Sequence, residues 1–290
     1  MQPDESPGPD NLNPAFYQRF WGEIGGELFT NADAWLNLGH LPTGFNATNI
    51  ILAPKGDNPE TMKDLRPISL CNVLYKIISK VLVNRLRPLI NKWISLGQAT
   101  FVHSRSIMDN ALTAFEILHN MRCKTKGKKG EIALKLDISK AFDSVCWSYL
   151  QVILFKMGFF LLSKWVNWML MCITSVEYHV IFNGDRIGPI TPERGLRQGC
   201  PLSPYLYIIC VEGLSAIIKN HELRGTFHGN CICRAAPSIN HILFANDSFI
   251  FCKATPAEAQ LLKGILSNYE QASSQAINYR KLVIAFSQNT

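Results

Sequence analysis

A chain of 290 residues has room for one large or two small domains around a sizeable core, and its excess of Lys and Arg over Asp and Glu (29 to 22, net charge +7) fits a polyanionic partner without requiring one. Nine cysteines form an odd set with no Cys-x-x-Cys pair, which argues against a zinc centre or a disulfide framework and for reduced thiols in an intracellular protein. The polar, proline-rich start QPDESPGPD excludes a secretory signal, and the most apolar stretch, residues 158–173, is interrupted by Lys164 and Asn167 and is too short to cross a membrane.

After an irregular start over residues 1–12, apolar spacing predicts a helix over 13–29 and a second short one over Ala32–Leu38. ATNIILAP (47–54) reads as a strand followed by a polar turn, 55–64. From Ser69 to Ile94 the pattern is that of a long helix bent or broken near Pro88. Another helix runs from about Ile107 to Met121 into the basic loop KTKGKKG (124–130). Strand Glu131–Leu136 delivers Asp137, and helices fill roughly 144–157 and 160–173. Residues 177–190 form a hairpin around an Asn183-Gly184 turn. The loop RGLRQGCP (194–201) opens into a helix over 203–219, and HILFANDSFIF (241–251) is a second hairpin with Asn246-Asp247 at its tip. TPAE (255–258) caps the next helix, and a last strand covers 282–286. Strands and helices interleave without a regular βαβ repeat, which favours the α+β class.

Two of these features carry chemistry. A lone acid at a strand end, such as Asp137, is usually a helix N-cap. Two acidic strand ends meeting on one sheet face are what two-metal phosphoryl transfer needs, since each carboxylate holds and neutralises Mg²⁺. Asp143 follows six residues after Asp137, and Asn246 stands where a further carboxylate is expected. Phe142 either plugs the core or lies under a nucleotide sugar, where its ring rejects a 2′-hydroxyl. Arg197, Gln198 and Gly199 belong either to an ordinary Gly/Pro turn or to a loop whose backbone approaches phosphate. Lys55 and Arg66 are either solvated cations or a grip on a triphosphate. The basic loop 124–130 is a flexible connector or grazes a nucleic-acid backbone.

At these residues the chain resembles the reverse transcriptases of non-LTR (LINE-type) retrotransposons, most closely those of plants. The blocks that carry the resemblance are SPGPDNLNPAFYQRFW, LRPISLCNVLYKIISKVLVNRL (65–86), GQATFVHSRSIMDN (97–110), LDISKAFDSV, GLRQGCPLSP, FANDS and ASSQAINYRK (272–281), with the strand before Lys55. The resemblance implies a right-hand polymerase, an antiparallel palm sheet with packed helices plus a mostly helical fingers region. It divides the chain into an N-terminal helical extension (1–46), fingers (47–130) and palm (131–290). It implies an RNA-directed DNA polymerase that uses an RNA template, a DNA primer, dNTPs and two Mg²⁺ (or Mn²⁺) ions, with no membrane partner. Carried over by position, Asp137, Asn246 and Asp247 are the catalytic set, and Asp137, the Ile138 carbonyl and Asp247 are the metal ligands. Phe142 is the steric gate. Lys55, Arg66, Gln198, Gly199 and Lys281 surround the nucleotide, and Arg105 and Arg197 contact nucleic acid. The chain departs from the family at Asn246, where the family has Asp, at His103-Ser104, where it has Pro-Gly, and at Ser274, where it has Gly. The resemblance covers fingers and palm but no thumb or endonuclease. Two expectations follow: a polymerase impaired by Asn246, or an inactive remnant that still binds nucleic acid.

Overall fold

The apolar run of ATNIILAP and the segment LRPISLC form strands β1 (Ala47–Pro54) and β2 (Leu65–Cys71), paired antiparallel from Thr48↔Cys71 to Pro54↔Leu65 in the computed structural model of the chain, which describes residues 1–159, 163–233, 236–244 and 247–290. Sequence periodicity assigns Ser69–Cys71 to a helix. The structure corrects this, because the ladder with β1 and the bond from Ser69 N–H to the Gln198 carbonyl (2.9 Å) outweigh local helical preference. Helix α3 therefore starts at Val73, and it runs through Pro88 to Trp93 instead of breaking there. Before β1, α1 (Pro14–Arg19) is capped by Asn13, and α2 (Trp21–Leu38) ends on Gly39 at φ 74°.

The chain divides into two compact units, each discontinuous in sequence. The first comprises Met1–Leu86 and Leu154–Pro204. Its sheet has the order β2-β1-β4-β5, with β4 (Glu177–Phe182) parallel to β1 and β5 (Asp185–Ile190) completing the hairpin. Asn183 and Gly184 have φ of 52° and 90°, the two positive values that a tight hairpin turn of this twist demands.

The second unit, Arg87–Ile153 and Tyr205–Thr290, carries the antiparallel sheet β6-β7-β3-β8. Its strands are β3 (Glu131–Asp137), β6 (His241–Phe244), β7 (Asp247–Lys253) and β8 (Val283–Phe286). Helix α4 (Ile107–Cys123) packs Ala114, Ile117 and Met121 against Ala133, Ile242 and Phe251 of the sheet. Most of α5 (Trp147–Lys156) and nearly all of α7 (Ser203–Leu223) belong to this unit, whereas α6 (Ser163–Thr174) belongs to the first. Helix α8 (Pro256–Ser273) buries Leu262, Ile265, Leu266 and Tyr269, each such side chain contributing about 1.5–3 kcal/mol of apolar burial. Thr255 caps α8 as its sequence suggests, but Glu258 turns away to His228 and the Lys253 N–H. All nine cysteines are free thiols, and among the described residues no helix is long and apolar enough to cross a membrane.

Candidate active site

The β3–β7 ladder runs from Glu131↔Lys253 to Asp137↔Asp247, so the two acids at the strand ends stand directly opposite each other. The Asp137 carbonyl accepts from Asn278 N–H (2.8 Å) and Ser139 N–H donates to the Ala276 carbonyl (2.9 Å), on either side of the Ile138–Ile277 bridge. Asp137 thus spends its backbone on the segment 276–278. Its pairing with Asp247 is of the non-hydrogen-bonded kind, in which facing Cα atoms approach to about 4.5 Å and side chains come closest. The same alternation turns the Ile138 carbonyl toward the β7 side.

Asp137 is 8% exposed, and its Oδ2 takes an ion pair from Lys281 Nζ (3.0 Å) and a hydrogen bond from Asn278 Nδ2 (3.2 Å). Lys135 Nζ lies 3.7 Å from Asp247 Oδ1. The segment that brings Asn278 and Lys281 here is fastened by Gln275, whose Nε2 donates to the Ala141 carbonyl (2.9 Å) and whose Oε1 accepts from Tyr269. At the end of α8, Ser274 has φ 61°, and Ser104 has φ 68°. Both serines that depart from the family pattern therefore stand in the left-handed region that favours glycine.

Phe142 stacks on Tyr207, ring centroids 4.7 Å apart and planes 14° from parallel. Burial pushes the Tyr207 phenol well above its usual range, and the charges of Asp137 and Asp247 add to the effect. Tyr207 and Asn278 escape sequence reasoning because neither has a local signature; only the tertiary fold brings them to Asp137.

Asp137, Asp247 and the Ile138 carbonyl are hard oxygen donors of the kind Mg²⁺ takes, and they fit one such ion. Among the described residues no group of three or more acidic, histidine or cysteine side chains converges. Asn246 lies outside the described residues.

The remaining nucleotide-binding candidates lie in the first unit. Lys55 N–H donates to the Asp64 carbonyl (2.8 Å), extending the β1–β2 ladder by one residue, and Lys55 Nζ donates to the Lys63 carbonyl (2.5 Å). Arg66 pairs with Ala53, and two residues beyond Ala53 the pleat returns Lys55 to the same face, so these exposed cations share one side of the hairpin. Gly199, at φ 103°, lets the loop touch β2, since a Cβ there would meet the Ser69 carbonyl oxygen at 2.9 Å. Gln198 accepts from Ser69 at the same place.

Arg197 and Arg105, expected to contact nucleic acid, turn their guanidinium groups onto the chain itself. Arg197 is 3% exposed and donates to Asn46 Oδ1 (2.6 Å), Thr48 Oγ1 (3.0 Å) and the Cys172 carbonyl (2.7 Å), with its guanidinium 4.0 Å from the Tyr75 ring centroid. Arg105 spends its guanidinium on the carbonyls of Asn91, Ile94, Ser95 and Gln98 (2.5–3.2 Å), where it caps the end of α3.

Comparison with known proteins accounts for this geometry. The family described as "Reverse transcriptase (RNA-dependent DNA polymerase)" matches residues 53–289, and the chain belongs to that family. It is 29% identical over 282 residues (97% of the chain) to the Transposon TX1 uncharacterized 149 kDa protein of Xenopus laevis. It is 27% identical over 248 residues (86%) to the retrovirus-related Pol polyprotein from type-2 retrotransposable element R2DM of Drosophila melanogaster. The matches span 21% and 22% of those two proteins, so the chain covers about a fifth of their length. In structure it is similar to telomerase from Candida tropicalis bound to a TWJ fragment of telomeric RNA, with TM-score 0.58 and 14% identity over 91% of this chain and 44% of that one. The fold is that of a right-hand polymerase.

Proposed function

We propose that this member of the reverse transcriptase family is the fingers and palm portion of an RNA-directed DNA polymerase from a LINE-type retroelement, acting on an RNA template, a DNA primer and dNTPs. The observation that carries the reading is the opposition of Asp137 and Asp247 on neighbouring strands, beside the stacked Phe142 and Tyr207. Asp137 and Asp247, with the Ile138 carbonyl, would hold Mg²⁺ or Mn²⁺, which when bound supplies Lewis acidity toward the attacking hydroxyl and the departing pyrophosphate. Phe142, held flat by Tyr207, presents a rigid ring to the sugar and excludes a 2′-hydroxyl. Lys55 and Arg66, on one face of their hairpin, grip the triphosphate, and Gln198 and Gly199 line its approach. Lys281, already on Asp137, stands ready to neutralise charge that develops on the leaving group.

Asn246 favours a second reading, an inactive nucleic-acid-binding remnant, because a neutral amide offers one oxygen and no charge where the family has a carboxylate. Primer extension separates the two. The unmodified chain gives negligible Mg²⁺-dependent synthesis, and Asn246→Asp raises it about a hundredfold or more. Robust synthesis by the unmodified chain would refute the role given to Asn246. Failure of both chains to bind or extend a primed template would refute the polymerase reading itself.

A further inference from the structure

Where α4 ends at Cys123, the chain enters a loop with four lysines in six residues: Lys124, Lys126, Lys128 and Lys129. The loop is held from within. Asn289 Nδ2 lies 3.4, 3.2 and 3.1 Å from the carbonyl oxygens of Lys126, Gly127 and Lys129, and Ala254 N–H donates to the Gly130 carbonyl (2.9 Å). With the carbonyls turned onto Asn289, the side chains of Lys126, Lys128 and Lys129 are left exposed.

At the base of the loop Glu131 is 2% exposed and receives both Lys124 Nζ (2.6 Å) and Lys253 Nζ (2.9 Å). Burial pushes its carboxyl upward, but the two ammonium partners outweigh that and hold it below the usual range. One carboxylate balances one lysine. A groove of about 630 Å³ opens among Asn120, Lys124, Lys126 and Lys253, with Glu131 as its sole acid among the described lining residues. Together with Lys128 and Lys129 of the same loop, groove and loop hold five lysines to a single glutamate.

We propose that this groove and its lysine loop form a second polyanion site that holds the sugar–phosphate backbone of an RNA–DNA hybrid engaged by the same unit. The choice of hybrid rests on the polymerase reading above. Glu131 and Asp137 are the two ends of β3, six residue steps and thus about 20 Å apart. That span corresponds to about six nucleotide steps along a strand. The site therefore grips duplex behind the primer terminus, away from the reacting atoms, and lengthens the footprint without reading sequence.

The test uses the full chain and labelled RNA–DNA hybrids with about four or about twelve base pairs behind the primer end, titrated by fluorescence anisotropy across a salt series. In Lys126→Gln/Lys128→Gln/Lys129→Gln, the pair on Glu131 is untouched. The slope of log affinity against log salt should fall by about two to three on the long hybrid, as expected for three lost phosphate contacts, and stay unchanged on the short one. Lys126→Arg/Lys128→Arg/Lys129→Arg should keep the wild-type slope, which separates charge from folding. An unchanged slope on the long hybrid overturns the proposal, and so does an equal loss on both lengths. Polyglutamate binding that disappears in the glutamine variant while hybrid binding persists reassigns the groove to an acidic protein and also overturns it. If the unmodified chain shows no salt-dependent hybrid binding at any length, the polymerase reading falls and the site falls with it.

Discussion

Replacing Arg197 separates a buried strut from a surface contact. Its guanidinium makes three charge-assisted hydrogen bonds of 2.6–3.0 Å, to Asn46, Thr48 and the Cys172 carbonyl, and no carboxylate is among these partners. Three such bonds amount to about 5–9 kcal/mol gross. Burying an unpaired guanidinium offsets several kcal/mol of that. In Arg197→Met the Cys172 carbonyl still accepts from Asn46 Nδ2 and Tyr75 Oη, so the polar atom left bare is Asn46 Oδ1. The net loss is then about 2–4 kcal/mol. In urea this lowers the unfolding midpoint by about 1–2 M, taking a denaturant slope of about 2 kcal/mol per molar. Arg197→Lys should be at least as damaging, because a compact, strongly hydrated ammonium keeps the burial cost but cannot fork to three acceptors or lie flat on Tyr75. The measurement is paired urea unfolding and hybrid-binding salt slopes for both variants. Wild-type stability in Arg197→Lys would refute the reasoning. So would a loss of hybrid affinity in Arg197→Met at unchanged stability, the outcome a surface contact would give.

Ser104→Gly and Ser274→Gly should each stabilise the chain by about 0.5–1 kcal/mol by relieving positive φ, read as a rise in thermal midpoint; a fall in either would contradict the left-handed conformations. Burial, with Lys219 adding to it, lowers the His241 imidazole to about 4. The unfolded chain protonates this group near 6.5 and the folded chain resists until about 4, so its stabilisation is present above 6.5 and is lost as pH falls through that window, by about 2–3 kcal/mol. His241→Phe should flatten that part of the pH–stability curve, and an unchanged curve would show that the ring is not held neutral. Lys55→Ala or Arg66→Ala should weaken dNTP binding to a preformed hybrid complex several-fold while leaving hybrid affinity nearly intact; equal losses of both would mark them as backbone contacts.

Much of the fold was legible where the signal is local. The Asn183-Gly184 turn, the strand delivering Asp137 and the Thr255 cap lie where their residue types place them. The opposition of Asp137 and Asp247 was legible because the two acids end strands whose apolar patterns already ask to share a sheet. What escaped depends on partners distant in sequence. The parallel pairing of β1 with β4 joins Ala47 to Glu177, and no local pattern announces it. The burial of Arg197 was equally hidden, since an arginine in a glycine-rich loop reads as a phosphate ligand until Asn46, Thr48 and Cys172 are seen to enclose it. The bonds of Arg105 were hidden in the same way, because the carbonyls it caps belong to a helix end that periodicity alone does not fix.

The discontinuity of the two units has a consequence for how the chain is made. During synthesis the β1–β2 hairpin can close early, since its strands adjoin in sequence, but its sheet waits for residues 177–180. Strand β3 emerges next and waits longer, because its neighbours are β7, beginning at residue 247, and β8, beginning at residue 283. Between those points β3 is tethered to the ribosome with both edges unpaired. Such non-local pairing is slow to form, and bare strand edges recruit other chains. A nascent chain paused before residue 247 is therefore the species most exposed to aggregation, and the one for which a chaperone that masks extended apolar segments has most to offer.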